Sequence, residues 1–218
     1  MNPKVEAYLI ELLERYPLLE PLKEELVLSY DLLKTCFESG HKLLIGGNGG
    51  SSADAEHIVG ELMKGFEKLR EIPVNFSKEL IKTESKRGRF LSRNLQGGLP
   101  AICLSSHTSF NTAFSNDVEV LAGYAQQVYV YGTKGDVFLG ISTSGNAENV
   151  VCAAVTARTK GMPVIALTGN DGGDLKEYAD VALIVPETGA YRTQELHLPI
   201  YHALCLMLEE TFFSEADA

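Results

Sequence analysis

At 218 residues, 45% of them hydrophobic and 22% charged, the chain has the length for one well-filled core, and a single domain spanning 1–218 is expected. A formal net charge of −10 argues against nucleic acid as a partner, because a polyanion is repelled at long range. No run of about 18 apolar residues occurs and the opening MNPKVEAYLIELLERY is acidic and amphipathic, so no membrane partner and a cytoplasmic location are expected.

Pro3 to Arg15 and Glu20 to Ser39 carry helical periodicity, the second closed by Gly40, which makes residues 1–40 an N-terminal helical part. Beyond it, the apolar runs KLLIGG, LPAICLSS, DVFLGISTSG, MPVIALTGN and DVALIVP alternate with helical stretches and Gly/Asn/Ser turns. That pattern belongs to an α/β protein with an open, doubly wound, five-stranded parallel sheet and helices on both faces. Helices are predicted over Val118 to Gly132, Ala147 to Lys160 and Thr193 to Phe213.

Residues 65–98 interrupt the alternation and read as an insertion between a helix and the next strand. They hold a Glu71-Ile72-Pro73 turn, a short helix near Phe76 to Glu84, and a Gly-bearing basic patch. Between Lys64 and Gly98, Lys and Arg outnumber acidic residues about two to one, which in its plainest form is a solvated surface excursion. The sharper alternative is that Lys86 to Arg93 fold over the mouth of a site and steer an anion inward. Cys36, Cys103, Cys152 and Cys205 lie scattered in apolar patterns with no CxxC spacing, as reduced core residues do.

In open parallel sheets, ligands bind beyond the carboxyl ends of the strands. Three turns there are rich in glycine and hydroxyls: GGNGGSS at Gly46 to Ser52, STSGN at Ser142 to Asn146, and TGNDGG at Thr168 to Gly173. Glycine allows close backbone approach, Ser and Thr donate hydrogen bonds, and a helix N-terminus adds free amides and a favourable dipole for an anion. Any α/β protein needs glycine in tight strand-to-helix connections, so one such turn is weak evidence and three are stronger. Neither GxxxxGK[ST] nor GxGxxG fits in register, which disfavours an ATPase or a dinucleotide enzyme and favours a phosphorylated small molecule.

His57 and Glu61, four residues apart, share one helical face about one turn above the first of these turns. A lone helical histidine is usually a surface or satisfied core residue; an i, i+4 His/Glu pair beside an anion-binding turn is less easily dismissed. On the late helix Gln194 and His202, eight residues apart, fall on broadly the same side, with His197 rotated away as the structural residue.

GGNGGSSADAEHIVGEL, LGISTSGNAENV, VIALTGNDGG and RTQELHLPIYH, in this order, resemble the sugar isomerase (SIS) domain family, and within it the phosphoheptose isomerases. The resemblance spans about Glu20 to Phe213 apart from the insertion. It implies a flavodoxin-like α/β subunit whose N-terminal helices serve oligomerisation, in a homotetramer with active sites between subunits. It also implies an aldose-ketose isomerase acting on a phosphosugar, sedoheptulose 7-phosphate above all. By motif, Ser51, Ser142, Thr143 and Ser144 would hold the phosphate and Asn48 the sugar, with Gly49, Gly50, Ser52, Asn146 and Gln194 lining the same pocket. His57, Glu61, Gln194 and His202 would bind one Zn2+ per subunit.

The chemistry suits these residues. Moving a carbonyl between C1 and C2 needs a base, an acid and positive charge beside an enediolate oxygen. Glu61 is the natural base and His202 the natural acid, and zinc accepts both histidine nitrogen and carboxylate oxygen. A glutamate held on zinc is a poorer base, so Glu61 would have to loosen during turnover.

Two departures touch the substrate. Where the family has Asp-Thr-Ser, this chain reads His107-Thr108-Ser109, leaving His107 either to contact the sugar or to fill a turn. Ala147 stands where the family often has another phosphate-binding serine. The rival reading is a non-catalytic SIS regulator or adaptor. Such adaptors lose the glutamate or the last histidine, whereas Glu61 and His202 are both present here. An aldolase, lyase or amidotransferase lacks support, with no Schiff-base lysine at a strand end and no glutaminase segment.

Overall fold

All five apolar runs pair as parallel strands in the computed structural model, which describes residues 2–214. Positions 1 and 215–218 of the expected domain lie outside the described residues. The strands are β1 (Leu43–Gly47), β2 (Ala101–Cys103), β3 (Val137–Ser142), β4 (Val164–Thr168) and β5 (Val181–Ile184). Their spatial order, β2-β1-β3-β4-β5, puts the switch in winding direction between β1 and β3. There the crevice at the carboxyl ends opens. Register is continuous across it, with Gly46 opposite Gly140 and Gly47 opposite Ile141.

Alternate strand residues fill two separate cores, which is why the runs are apolar throughout. Leu43, Ile45, Leu139, Ile141, Ile165 and Leu167 face a core completed by α1 (Pro3–Arg15), α2 (Lys23–Glu38), α3 (Gly50–Met63) and α9 (Ala190–Phe213). Leu44, Phe138, Val164 and Ala166 face the other, covered by α7 (Gly123–Tyr131) and α8 (Glu148–Thr159). Gly40, at φ +75, closes α2 as expected. Its predicted start is replaced by a 3-10 turn over Pro17–Leu22, and the α-helix begins at Lys23.

The helix expected from Val118 to Gly132 is shorter. A 3-10 turn covers Val120–Ala122 and the α-helix begins at Gly123. An additional helix, α6 (Thr108–Asp117), was not legible because TSFNTAFSND is mostly Ser, Thr, Asn and Asp, which are poor helix formers, and none of its residues is buried.

The insertion is a helical hairpin of α4 (Val74–Thr83), where a short helix near Phe76 to Glu84 was expected, and α5 (Ser85–Asn94), which carries the basic patch. Glu84 begins α5 by accepting the amides of Lys86 and Arg87 at 3.1 and 2.5 Å. Gly88 is required where the two helices cross, since a Cβ there would strike the Leu80 carbonyl. Glu71 pairs antiparallel with Gln96 at the hairpin's base. Among the described residues no helix is long and apolar enough to cross a membrane, and all four cysteines are free thiols. Burial pushes the Cys36 thiol up to about 11 and the Cys205 thiol up to about 12.

Candidate functional site

The first turn leaves β1 at Gly47 and enters α3 through Gly49, whose φ of +56 favours glycine. A Cβ at Gly47 would press on the Ser51 backbone, so glycine is what lets strand and helix meet this closely. Ser51 is buried on the first turn of α3, its amide donating to the Asn48 carbonyl at 3.0 Å. Ser52 is occupied otherwise: its hydroxyl donates to Ser105 Oγ at 2.6 Å, tying α3 to the end of β2.

Asn48 projects over the crevice and is held by a reciprocal amide pair across the switch point. Its Nδ2 donates to Asn149 Oδ1 at 2.8 Å, and Asn149 Nδ2 donates back to Asn48 Oδ1 at 2.9 Å. Tyr124 anchors the strand end beneath by donating to the Gly47 carbonyl at 2.7 Å. Asn149 and Tyr124 had no sequence signal beyond their place in helices. Across the crevice, buried Ser142 ends β3, with Thr143 and exposed Ser144 following. Ser144 Oγ accepts the Asn146 amide at 3.2 Å, which shapes the turn over the N-terminus of α8.

The third turn, Thr168 to Gly173, braces the second. Leu175 donates its amide to the Gly145 carbonyl at 2.9 Å, and Asp174 donates to Asn146 Oδ1 at 3.0 Å. A side chain at Gly145, φ +70, would strike the Gly172 carbonyl. Two turns therefore face the crevice and the third supports them.

Helices α3 and α9 run parallel, so residues far apart in sequence meet in the same order along both. Gln194 abuts Gly50, Tyr201 reaches Asp54 and His57, and Glu209 meets the residues just beyond α3. His57 Nε2 lies 3.2 Å from Glu61 Oε1, and Lys64 Nζ donates to Glu61 Oε2 at 3.1 Å. The His202 ring stands edge-on to His57 with centroids 4.9 Å apart and to Tyr201 at 5.0 Å. His202 Nε2 is buried without a hydrogen-bond partner. Burial, with the neighbouring His57 imidazole, holds its pKa below the usual histidine range.

Gln194 stands apart from the other three expected zinc ligands. Its amide lies at the Gly50 end of α3, roughly 16 Å along that helix from Glu61. Within one chain it belongs with the first glycine-rich turn. His107, at the start of α6, turns its ring onto Tyr131 with centroids 5.7 Å apart. Two residues before His107, Ser105 meets Ser52 of the first turn at 2.6 Å, so the His107 backbone follows closely on that turn while its ring packs on Tyr131. His197 faces the core fully buried, with neither ring nitrogen hydrogen-bonded, and burial lowers its pKa to about 4. The sharper idea for Lys86 to Arg93 lacks support: the hairpin's two helices pack mainly on each other.

The remaining three donors suit a zinc ion. His57 Nε2 and Glu61 Oε1 at 3.2 Å match the roughly 3.3 Å between two ligands of a tetrahedral ion with 2.0–2.1 Å bonds. The orphaned His202 Nε2 stands beside them as a third. Among the described residues no three His, Cys, Asp or Glu side chains already converge on one point, so His202 must swing inward to complete such a set.

The SIS domain profile matches residues 88–169. A phosphoheptose isomerase of Nitratiruptor sp. is 38% identical over 206 residues, covering 93% of this chain and 96% of its own. One from Helicobacter pylori is 40% identical over 194 residues, covering 89% and 88%. Among solved structures, a phosphoheptose isomerase from Neisseria gonorrhoeae superposes with a TM-score of 0.72 at 32% identity, covering 94% of this chain and 97% of the other. One from Francisella tularensis gives 0.74 at 29%, covering 95% and 97%.

Proposed function

The chain belongs to the phosphoheptose isomerases of the SIS-domain family, and we propose that it interconverts sedoheptulose 7-phosphate and the corresponding aldoheptose 7-phosphate through an enediolate. The observation that carries this reading is the meeting of His57, Glu61 and His202 on α3 and α9, the helix pair whose other end forms the phosphate-sized turn.

The phosphate lies against the amides at the start of α3 and the hydroxyls of Ser51, Ser142, Thr143 and Ser144, where free N–H groups and the helix dipole favour an anion. Asn48, held in place by Asn149, hydrogen-bonds the sugar, and Gln194 closes the same pocket from α9. Glu61 removes the proton from the carbon beside the carbonyl and returns it to the neighbouring carbon. His202 donates to the carbonyl oxygen as negative charge gathers there, and Lys64 adds a fixed positive charge on Glu61's far side. Zinc held by His57, Glu61 and His202 would supply Lewis-acid polarisation of that oxygen in place of the proton from His202, whose Nε2 cannot bind the metal and donate at once. The homotetramer implied by the family resemblance is retained in this reading, supported by the exposed apolar side chains of Ile10 on α1 and Leu198 on α9.

The test is turnover of sedoheptulose 7-phosphate by wild type, Glu61→Gln and His202→Gln. Loss of about 10²–10⁴ in kcat in each variant, with KM within a few-fold, is expected. Near-normal turnover by Glu61→Gln ends the assignment of the base.

A further inference from the structure

Tyr201, on α9 and almost fully buried, joins two residues of α3 through its phenol oxygen. It donates to Asp54 Oδ1 at 3.3 Å, and the same oxygen lies 3.1 Å from His57 Nδ1. The other imidazole nitrogen faces Glu61 Oε1 at 3.2 Å. The polar groups thus run in one line, Asp54, Tyr201, His57, Glu61, and the first two have no part in the chemistry described above.

A phenol has a single proton, and a carboxylate can only accept. With that proton given to Asp54, the phenol presents only lone pairs to His57, so Nδ1 must carry the ring proton. The opposite arrangement, with the phenol donating to a bare Nδ1, would strip Asp54 of its partner. Asp54 Oδ2 is already buried with none, so both oxygens would then lack one, and leaving a buried carboxylate bare costs more than any gain at the ring. The ring is also held sterically, edge-on to Tyr201 with centroids 5.5 Å apart.

We infer that Asp54 and Tyr201 are positioning residues that lock His57 as its Nδ1–H tautomer and aim the bare Nε2 at Glu61. A lone pair and a carboxylate oxygen 3.2 Å apart repel unless one positive charge sits between them, so the lock makes the His57/Glu61 mouth a receptor for a single proton or divalent cation. Its catalytic meaning rests on the isomerase reading; the tautomer does not.

The experiment uses the full chain labelled with 15N-histidine, with two-bond 1H–15N spectra at alkaline pH and His57→Gln to assign the signal. In wild type, His57 shows a protonated, pyrrole-like Nδ1 and a bare, pyridine-like Nε2. Tyr201→Phe removes the acceptor, and Asp54→Ala frees the phenol proton to turn toward Nδ1. Either variant therefore moves His57 to the Nε2–H form while the other histidine signals stay in place, and kcat falls about 10–100-fold with KM little changed. Wild-type His57 in the Nε2–H form, or an unchanged Nδ1–H form in whichever variants fold, overturns the inference. A locked tautomer in a protein that turns over no heptose phosphate would end the isomerase reading alone, and an active enzyme with an unlocked tautomer would end this one alone.

Discussion

Arg70 Nη2 donates to the main-chain carbonyl of Glu61 at 2.9 Å. Its Nη1 donates to the Leu62 carbonyl at 2.8 Å, and its Nε to Glu209 Oε1 at 2.8 Å. Glu209 also accepts the amides of Phe66, Glu67 and Lys68. One buried ion pair thus caps the end of α3, catches the chain that leaves it, and fastens both to α9. The candidate base stands at a helix end that would otherwise carry unsatisfied carbonyls.

Breaking this pair from one side leaves a bare buried charge. Arg70→Met and Glu209→Leu are each expected to cost about 3–5 kcal/mol, and the double variant clearly less than their sum. Urea denaturation of the three variants measures this, and additive losses would show that the two residues act independently.

Asn149→Ala removes the reciprocal partner of Asn48 without touching the His57, Glu61 and His202 cluster. Loss of one positioned hydrogen-bonding group, about 1 kcal/mol, predicts KM for the heptose phosphate raised about five-fold with kcat largely kept. Steady-state kinetics decides between that outcome and a fall in kcat, which would place Asn149 in the chemistry.

His197 makes stability depend on pH. Its folded pKa, lowered by burial to about 4, lies below the ordinary 6.5, so between those values the unfolded chain binds the extra proton. The neutral imidazole's contribution is fully present above pH 6.5 and is lost as pH falls toward 4, by up to about 3 kcal/mol. In His197→Gln the urea midpoint should fall less over that interval than in wild type, and parallel curves would assign the slope elsewhere.

The sheet was legible because its strands are buried on both faces and so read as unbroken apolar runs, bounded by turns whose glycines the close approach at Gly47 and Gly145 requires. The two crevice turns and the His57/Glu61 pair followed from local spacing. What spacing could not supply was the parallel pairing of α3 with α9. That pairing sends Gln194 to the Gly50 end and brings Tyr201, unremarked beside His202, onto Asp54. Helices α5 and α6 were hidden for another reason: they are rich in polar and charged residues such as Arg93, Ser109 and Asn116, and between them the two helices bury only Gly88.

Solvent exchange tests the account most directly, because proton removal by Glu61 leaves an isotopic trace even where net conversion is small. Incubated with sedoheptulose 7-phosphate in D2O, the wild-type protein should incorporate deuterium at C1 of the ketose and C2 of the aldose, and Glu61→Gln should incorporate neither. Binding of the phosphosugar with no exchange at either carbon would contradict the isomerase account and leave a protein that holds the sugar without reacting it.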